Sequence, residues 1–342
     1  MVSRSSSKPA KFVHIGLGKC ASTYLQTVWL NEPRYVSADM LRAAKAVRDL
    51  ALSPNPVSLP KLDLGVRAGG GQSLIATSEG FTWGYINKPD RQVHIPQLHA
   101  LSAKLLGQSD LADSLLIIVR NPIDWIRAAH EQSIKQRGSQ TAAEFVVRQE
   151  GLIRGVLDLQ TVLEAYRPWF SNIVILSAEQ LREDPEGFWS NYARRLDVPR
   201  PAPALLKAAA EKEFSNQSLN LRLASLAAMN ASMDALVEVY GALDLPTYAQ
   251  QERQAKLKEL DEAAQWATRR IAEFGSDEHL HRLAPLFSAL PAEDFAVFRL
   301  GQDLHAHLSE RFLAPLRDDS EFDTGRVEAY AAALDARRDG AS

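Results

Sequence analysis

Two six-residue runs, Ser114–Val119 (SLLIIV) and Asn172–Ser177 (NIVILS), are apolar at nearly every position. A strand with one face in water alternates polar and apolar side chains. A strand covered on both faces does not, and parallel sheets are where such strands occur. Two further β-rich runs, Lys11–Ile15 (KFVHI) and Ser73–Ser78 (SLIATS), precede them. Helical stretches lie between: Ala21–Leu30, Asp39–Leu50, Ile123–Lys135, Ala142–Tyr166 and Pro185–Leu196. This alternation predicts an α/β fold, a three-layer sandwich with a central parallel sheet whose ligands bind at the carboxyl ends of the strands.

After Pro199–Pro203 the pattern turns helical, with Leu219–Leu236, Gln254–Phe274 and Phe298–Leu313 as the main stretches. Leu257, Leu260, Ala264, Ala267 and Ile271 make an apolar stripe at helical spacing. No Gly/Ser-rich linker separates the halves, so residues 11–315 are expected to form a single domain. Within it, 11–200 would be the α/β core and 201–315 a helical cover packed on the sheet. Residues 1–10 read as a disordered tail and 316–342 as a polar C-terminal tail, with a short helix over Val327–Leu334. Pro54–Gly71, with three prolines and a Gly69-Gly70-Gly71 run, reads as a mobile loop.

Composition narrows the class. The 342 residues carry a net charge of −3, which gives no reason to expect nucleic acid or an anionic membrane as partner. No apolar run approaches the ~20 residues of a membrane helix, and Met1–Lys11 lacks the apolar core of a signal peptide. The lone cysteine, Cys20, excludes an internal disulfide framework and a Cys-cluster zinc site. A soluble cytoplasmic protein is the expectation.

Chemistry concentrates in four stretches. In Phe12–Gln26 (FVHIGLGKCASTYLQ) a strand enters a small-residue turn, then Lys19, then Ser22 and Thr23 at the start of an amphipathic helix. Free backbone N–H groups at a helix N-terminus beside a lysine favour an anion. The nucleoside-triphosphate P-loop does not fit, because Cys20 follows Lys19 and Val13 stands at the first Gly position. An ordinary βα turn with a surface lysine is the alternative. In Ser114–Ser133 (SLLIIVRNPIDWIRAAHEQS) a buried strand ends at Arg120, Asn121 can cap and Pro122 suits the first helical position. Such an arginine suits a phosphate fork; a structural ion pair with Asp124 is the alternative. In Ile75–Phe81 (IATSEGF) Glu79 follows a strand end, as a base or as a cap of a neighbouring turn. The fourth stretch, Asn172–Asp184 (NIVILSAEQLRED), runs from a strand into a helix.

In this order the four stretches resemble the bacterial type of sulfotransferase that uses 3′-phosphoadenosine-5′-phosphosulfate (PAPS). That family's 5′-phosphosulfate loop, Pro-Lys-Thr/Ser-Gly-Thr-Thr and an aromatic, is similar to Gly18-Lys19-Cys20-Ala21-Ser22-Thr23-Tyr24, with departures at Cys20 and Ala21. Its 3′-phosphate motif, a strand then Arg-Asn/Asp-Pro-x-Asp, resembles Arg120–Asp124, with Ala128 where the family has a Ser. Its strand followed by Tyr-Glu-Asp-Leu resembles the fourth stretch, with Ala178 for the Tyr. Ser215–Ser218 resembles a downstream Asn-x-Ser.

The resemblance implies a P-loop-NTPase-like sandwich and transfer of a sulfuryl group from PAPS to an acceptor hydroxyl, on a carbohydrate, a lipid-linked group or another small molecule. It implies Lys19 and Glu79 as catalytic residues, Glu79 as base. Gly18, Lys19, Cys20, Ala21, Ser22, Thr23 and Tyr24 would hold the 5′ side and the adenine, Arg120 and the Ala128 position the 3′-phosphate, with no metal required. Two readings compete: a PAP- or nucleotide-binding protein that kept the fold and lost catalysis, and a small-molecule kinase with an irregular phosphate loop. His99, His94 and His130 are the next candidates for a base.

Other features carry less. His279/His281 and His305/His307 could be imagined as metal ligands, but residues two apart on a helix do not share a face. Cys20 has a basic neighbour that could activate it, without an evident His partner. Phe188, Tyr192 and Leu196 read as core. Trp125 and Trp169 do as well, while Trp83 is placed to line an acceptor cleft.

Overall fold

The computed structural model describes residues 8–52, 59, 62, 64–83, 94–206, 220–242, 247–274, 292–295 and 297–338. Ser215–Ser218, His279, His281, the first seven residues and part of the Pro54–Gly71 loop lie outside them.

Five strands form one parallel sheet: β1 (Phe12–His14), β2 (Tyr35–Asp39), β3 (Ser73–Thr77), β4 (Ser114–Val119) and β5 (Asn172–Ser177), in the order β2-β3-β1-β4-β5. Four of these are the expected runs. β2 (YVSAD) is an addition, lying between the helical stretches expected over Ala21–Leu30 and Asp39–Leu50 and taking Asp39 from the second. As an edge strand it tolerates the half-exposed Val36 and Ser37 and carries no continuous apolar signal. The central strands are buried throughout, every residue of β1 and β3 and all but the first of β4. This is why their sequences read as near-continuous apolar runs.

The connections from β1 and β3 leave in opposite directions. Right-handed crossovers then put their helices on opposite faces. α1 (Ser22–Asn31) follows β1, and its Trp29 stacks 6.4 Å from Tyr192 of α9 (Pro185–Leu196). On the other face, α2 (Leu41–Ala51) and α7 (Leu159–Tyr166) pack against α3 (Ile95–Gln108). The arrangement is that of an α/β protein with helices on both sides of the sheet. Phe188, Tyr192 and Leu196 are core, as expected. The single helix expected over Ala142–Tyr166 is three: α5 (Ala142–Arg148), α6 (Glu150–Val156) and α7, with α7 started by the Asp158 carboxylate accepting from Thr161 N. α4 (Pro122–Lys135) and α8 (Ala178–Glu183) follow β4 and β5.

The helical half begins with α10 (Asn220–Ala242) and α11 (Thr247–Phe274), which pack on each other. Leu223, Leu226, Ala227 and Phe295 cluster with Ile134 of α4. The amide of Asn230 donates to the carbonyls of Ile134 (2.9 Å) and Gly138 (2.8 Å), and Thr268 donates to its oxygen. A continuous helical run then passes through α12 (Gln302–Leu308), a π-helical turn and α13 (Ala314–Asp318). The stretch read as a polar tail instead continues into α14 (Thr324–Asp335), longer than Val327–Leu334. Val327, Tyr330 and Leu334 are buried in the main core, because this helix packs on the π-helical turn and on α4. Among the described residues no helix is long and apolar enough to cross a membrane.

A buried carboxylate straps the Pro199–Ala202 connection to the start of β2. Glu32, 2% exposed, accepts from Arg34 Nε (2.7 Å), Arg34 Nη2 (2.9 Å) and the Ala202 N–H (2.8 Å). Arg34 reaches on to the Arg200 carbonyl, and the Tyr35 hydroxyl donates to the Pro199 carbonyl. The Arg34 guanidinium holds the Glu32 carboxyl down at about 2. A depressed carboxyl stabilises the fold fully above its unfolded value, and that stability is lost as pH falls from there through the folded value. Stability measured by urea unfolding should therefore drop between pH 4.5 and about 2 more steeply in the wild type than in Glu32→Gln. At pH 7, Glu32→Gln should cost about 1–2 kcal/mol, the pair being weakened by the half-exposed Arg34.

Candidate functional site

β1 and β4 are neighbours whose connections run to opposite sides of the sheet, so the crevice beyond their carboxyl ends is a topological switch point. The Gly16–Ala21 loop fills the β1 side of it. Three of its carbonyls are tied by donors from the segments that follow β3 and β4. Thr82 Oγ1 donates to the Gly16 carbonyl (2.6 Å), Trp125 Nε1 to that of Gly18 (2.6 Å) and Arg120 Nη1 to that of Lys19 (3.2 Å). In a trans peptide the N–H opposes the C=O, so the amides of Leu17, Lys19 and Cys20 point away from these donors.

Lys19 (φ 69°) and Ala21 (φ 59°) are both in the left-handed region. Alternating helical hands along a loop makes a concave nest of N–H groups suited to an anion. The loop runs directly into α1, whose first turn holds no acidic side chain and whose N-cap, Ala21, supplies no side-chain bond. The positive end of the helix is thus uncompensated.

Two glycines make the loop's close approaches possible. A Cβ on Gly18 would sit 2.6 Å from the Trp83 ring, which itself meets Trp125 edge-on at 5.3 Å. A Cβ on Gly16 would sit 2.7 Å from His14 Nε2 and 2.9 Å from Ser22 Oγ. Both of those atoms are buried without a hydrogen-bond partner. A buried hydroxyl left unsatisfied at a helix N-terminus is costly unless an acceptor arrives. His14 bonds Thr77 Oγ1 through Nδ1 (2.9 Å), and burial pushes its pKa down to about 3, so it is a neutral imidazole.

The cationic and acidic residues converge here from separate strands. Lys19 is half-buried, its ammonium donating to Gln132 Oε1 of α4 (2.7 Å). Ala128 lies one turn before Gln132 on the same face of α4, which places it beside Lys19. Arg120 is half-buried at the end of β4; Asp124 pairs with Arg127, so the Arg120–Asp124 ion pair is not formed. Asn121 caps α4 by accepting from Ile123 N (2.9 Å), with Pro122 following, as the sequence predicts. Glu79 is exposed at the start of a single 3₁₀ turn, Glu79–Phe81, capped by Ser78 accepting from Gly80 N. The buried Cys20 thiol lies within electrostatic reach of Arg120, Glu179 and Glu79; burial, the dominant influence, pushes it well above its ordinary value. It is therefore a protonated thiol and no nucleophile.

Some expected residues stand elsewhere. Tyr24 is 3% exposed, turned into the core near Trp189, with its hydroxyl donating to the Leu206 carbonyl (3.3 Å), so it offers no face to an adenine. Thr23 is exposed on α1, whereas the neighbouring Ser22 is buried. His99 and His130 are fully buried and held neutral by desolvation, which removes them as bases at the rim; His94 is exposed. His305 pairs with Asp335 (2.8 Å) and His307 with the Arg154 carbonyl (3.2 Å). Trp125 is core, whereas Trp169 is 38% exposed.

The loop's supports, Thr82, Trp125 and Gln132, escaped the sequence reading. Trp125 and Gln132 stand five and twelve residues past Arg120 on a helix that must face the loop. That spacing is the signal that could have found them. A non-glycine residue in the left-handed region costs about 1–2 kcal/mol, partly offset by its smaller unfolded-state entropy. Ala21→Gly should accordingly stabilise the protein by about 0.5–1 kcal/mol in urea unfolding, although it lengthens no helix and fills no cavity. No protein-family model matches the chain, and no curated protein matches it.

Proposed function

We propose that the protein is a PAPS-dependent sulfotransferase with a P-loop-like fold, acting on an acceptor hydroxyl. The observation that carries the reading is the junction of two strand ends: Arg120, from β4, bonds the carbonyl of Lys19, from the β1 loop, over a helix N-terminus with an unsatisfied Ser22 hydroxyl. A cation, the lysine-bearing loop and an unpartnered hydroxyl therefore meet at this junction, which supports a phosphate-bearing ligand there. The unpartnered Ser22 Oγ and the nest amides fit the 5′-phosphate, and the Arg120 guanidinium fits the 3′-phosphate.

The chemistry follows from this placement. The sulfur–oxygen bond to the 5′-phosphate breaks as the bond to the acceptor oxygen forms, leaving PAP and a sulfate ester. Lys19 neutralises the negative charge gathering on the departing phosphate oxygen. Glu79 takes the acceptor's proton. Positioning and charge stabilisation dominate such an in-line transfer, as in phosphoryl transfer. Glu79 is exposed, which suits a base that must meet an acceptor arriving from solvent. Trp83, resting on Gly18, is the neighbouring wall for that acceptor.

Lys19→Ala should lower turnover of PAPS by about 10² or more. Glu79→Gln should abolish transfer while PAP affinity stays at the wild-type value in titration calorimetry. Thermal melts with PAP, ADP, ATP–Mg²⁺ and 5′-AMP test the donor site itself. PAP at 100 times its Kd should add about 2.7 kcal/mol of stability. Selective stabilisation by PAP supports the reading, and PAP binding without turnover turns it into the catalytically altered form. Preference for ATP–Mg²⁺ overturns it in favour of a kinase.

A further inference from the structure

The strand end that carries Arg120 is held by a carboxylate 58 positions past Asn121. The peptide joining Arg120 to Asn121 donates its N–H to Glu179 Oε1 (2.9 Å), at the start of α8. The other oxygen of that carboxylate accepts from Ser177 Oγ (2.9 Å) and from the Tyr330 hydroxyl of α14. Ser177 Oγ also lies 3.0 Å from the Tyr330 hydroxyl and accepts from the N–H groups of Glu179 and Gln180. All three side chains are buried: Ser177 at 2%, Glu179 at 7% and Tyr330 at 1% exposure. Each has its polar atoms satisfied within the group or by the neighbouring backbone N–H groups, which holds the Glu179 carboxylate in place. Its far end is the amide plane that fixes the direction in which Arg120 leaves the strand, and Arg120 in turn bonds the Lys19 carbonyl.

We infer that Tyr330 and Glu179 are positioning residues for the Arg120 guanidinium. α14 thereby sets the aim of the 3′-phosphate fork without touching the ligand. This rests on the reading of Arg120 given above and adds the device that orients it. Burial, with the Glu179 carboxylate beside it, drives the Tyr330 hydroxyl far above its ordinary value, so it stays a donor at every working pH.

The effect must appear in the recognition of the 3′-phosphate and not of the nucleotide as a whole. The ratio of affinities for PAP and for 5′-AMP, measured by calorimetry on the full chain, isolates it. Tyr330→Phe keeps the ring and removes the hydroxyl; it should lower PAP affinity about tenfold and leave 5′-AMP within twofold. In an Arg120→Met background the same substitution should have no further effect on PAP, since the relay then has nothing to aim. Val327→Ala, which loosens the same helix through packing alone, should lower the melting temperature and leave the ratio unchanged. An unchanged ratio in Tyr330→Phe, or an equal fall in Val327→Ala, overturns the positioning role while PAP binding by the wild type keeps the sulfotransferase reading alive. A wild type that does not distinguish PAP from 5′-AMP overturns both.

Discussion

The rim of this sheet depends on three peptide carbonyls being tethered outward. Thr82, Trp125 and Arg120 each spend a donor on a carbonyl of the Gly16–Lys19 loop, and each comes from a different place: the turn after β3, the second turn of α4 and the end of β4. The loop is thus not a property of its own six residues. It takes its shape from the two strands that flank β1, and the amide groups it presents are displayed because the carbonyls are occupied elsewhere. Two left-handed residues other than glycine are tolerated for the same reason: the surrounding bonds over-determine the backbone.

Two buried carboxylates repeat one design beside the two edge strands of the sheet, β2 and β5. Glu32 and Glu179 each accept a backbone N–H from a distant segment and the polar head of a further side chain. A buried carboxylate is costly unless its lone pairs are filled. Once filled, it joins chain segments that share little apolar surface, the Pro-rich connection to β2 in one case and the β4 terminus to α14 in the other.

What was legible in the sequence was whatever left a periodic or continuous apolar mark. β1, β3, β4 and β5 were readable because burial on both faces strips them of polar residues, and α4 because Asn121 and Pro122 announce its start. β2 was not, since an edge strand of five residues with half-exposed positions has no such mark. α14 was underrated because Thr324–Asp335 is rich in alanine and polar residues, with only Val327, Tyr330 and Leu334 at the spacing that buries them. At the site, Lys19, Ser22, Arg120 and Glu79 stood out as chemistry at strand ends. Tyr24 did not stay with them: on α1 it falls on the face turned to Trp189, which an aromatic residue in a motif does not reveal. The residues that shape the site through hydrogen bonds, Thr82, Gln132 and Tyr330, carry no signal until the strand order is known, because each meets a partner at least sixty positions away.

The strand order also bears on how the chain reaches this state. β1 pairs not with β2, the next strand in the chain, but with β3 and β4: Phe12 lies opposite Ile75 on one side and Ser114 on the other. Each of these two ladders therefore closes a long loop before its bonds repay the entropy. The rim loop takes its bonds from Thr82, Trp125 and Arg120, which lie beyond β3 and β4 in the chain, so its shape is complete only when both ladders are.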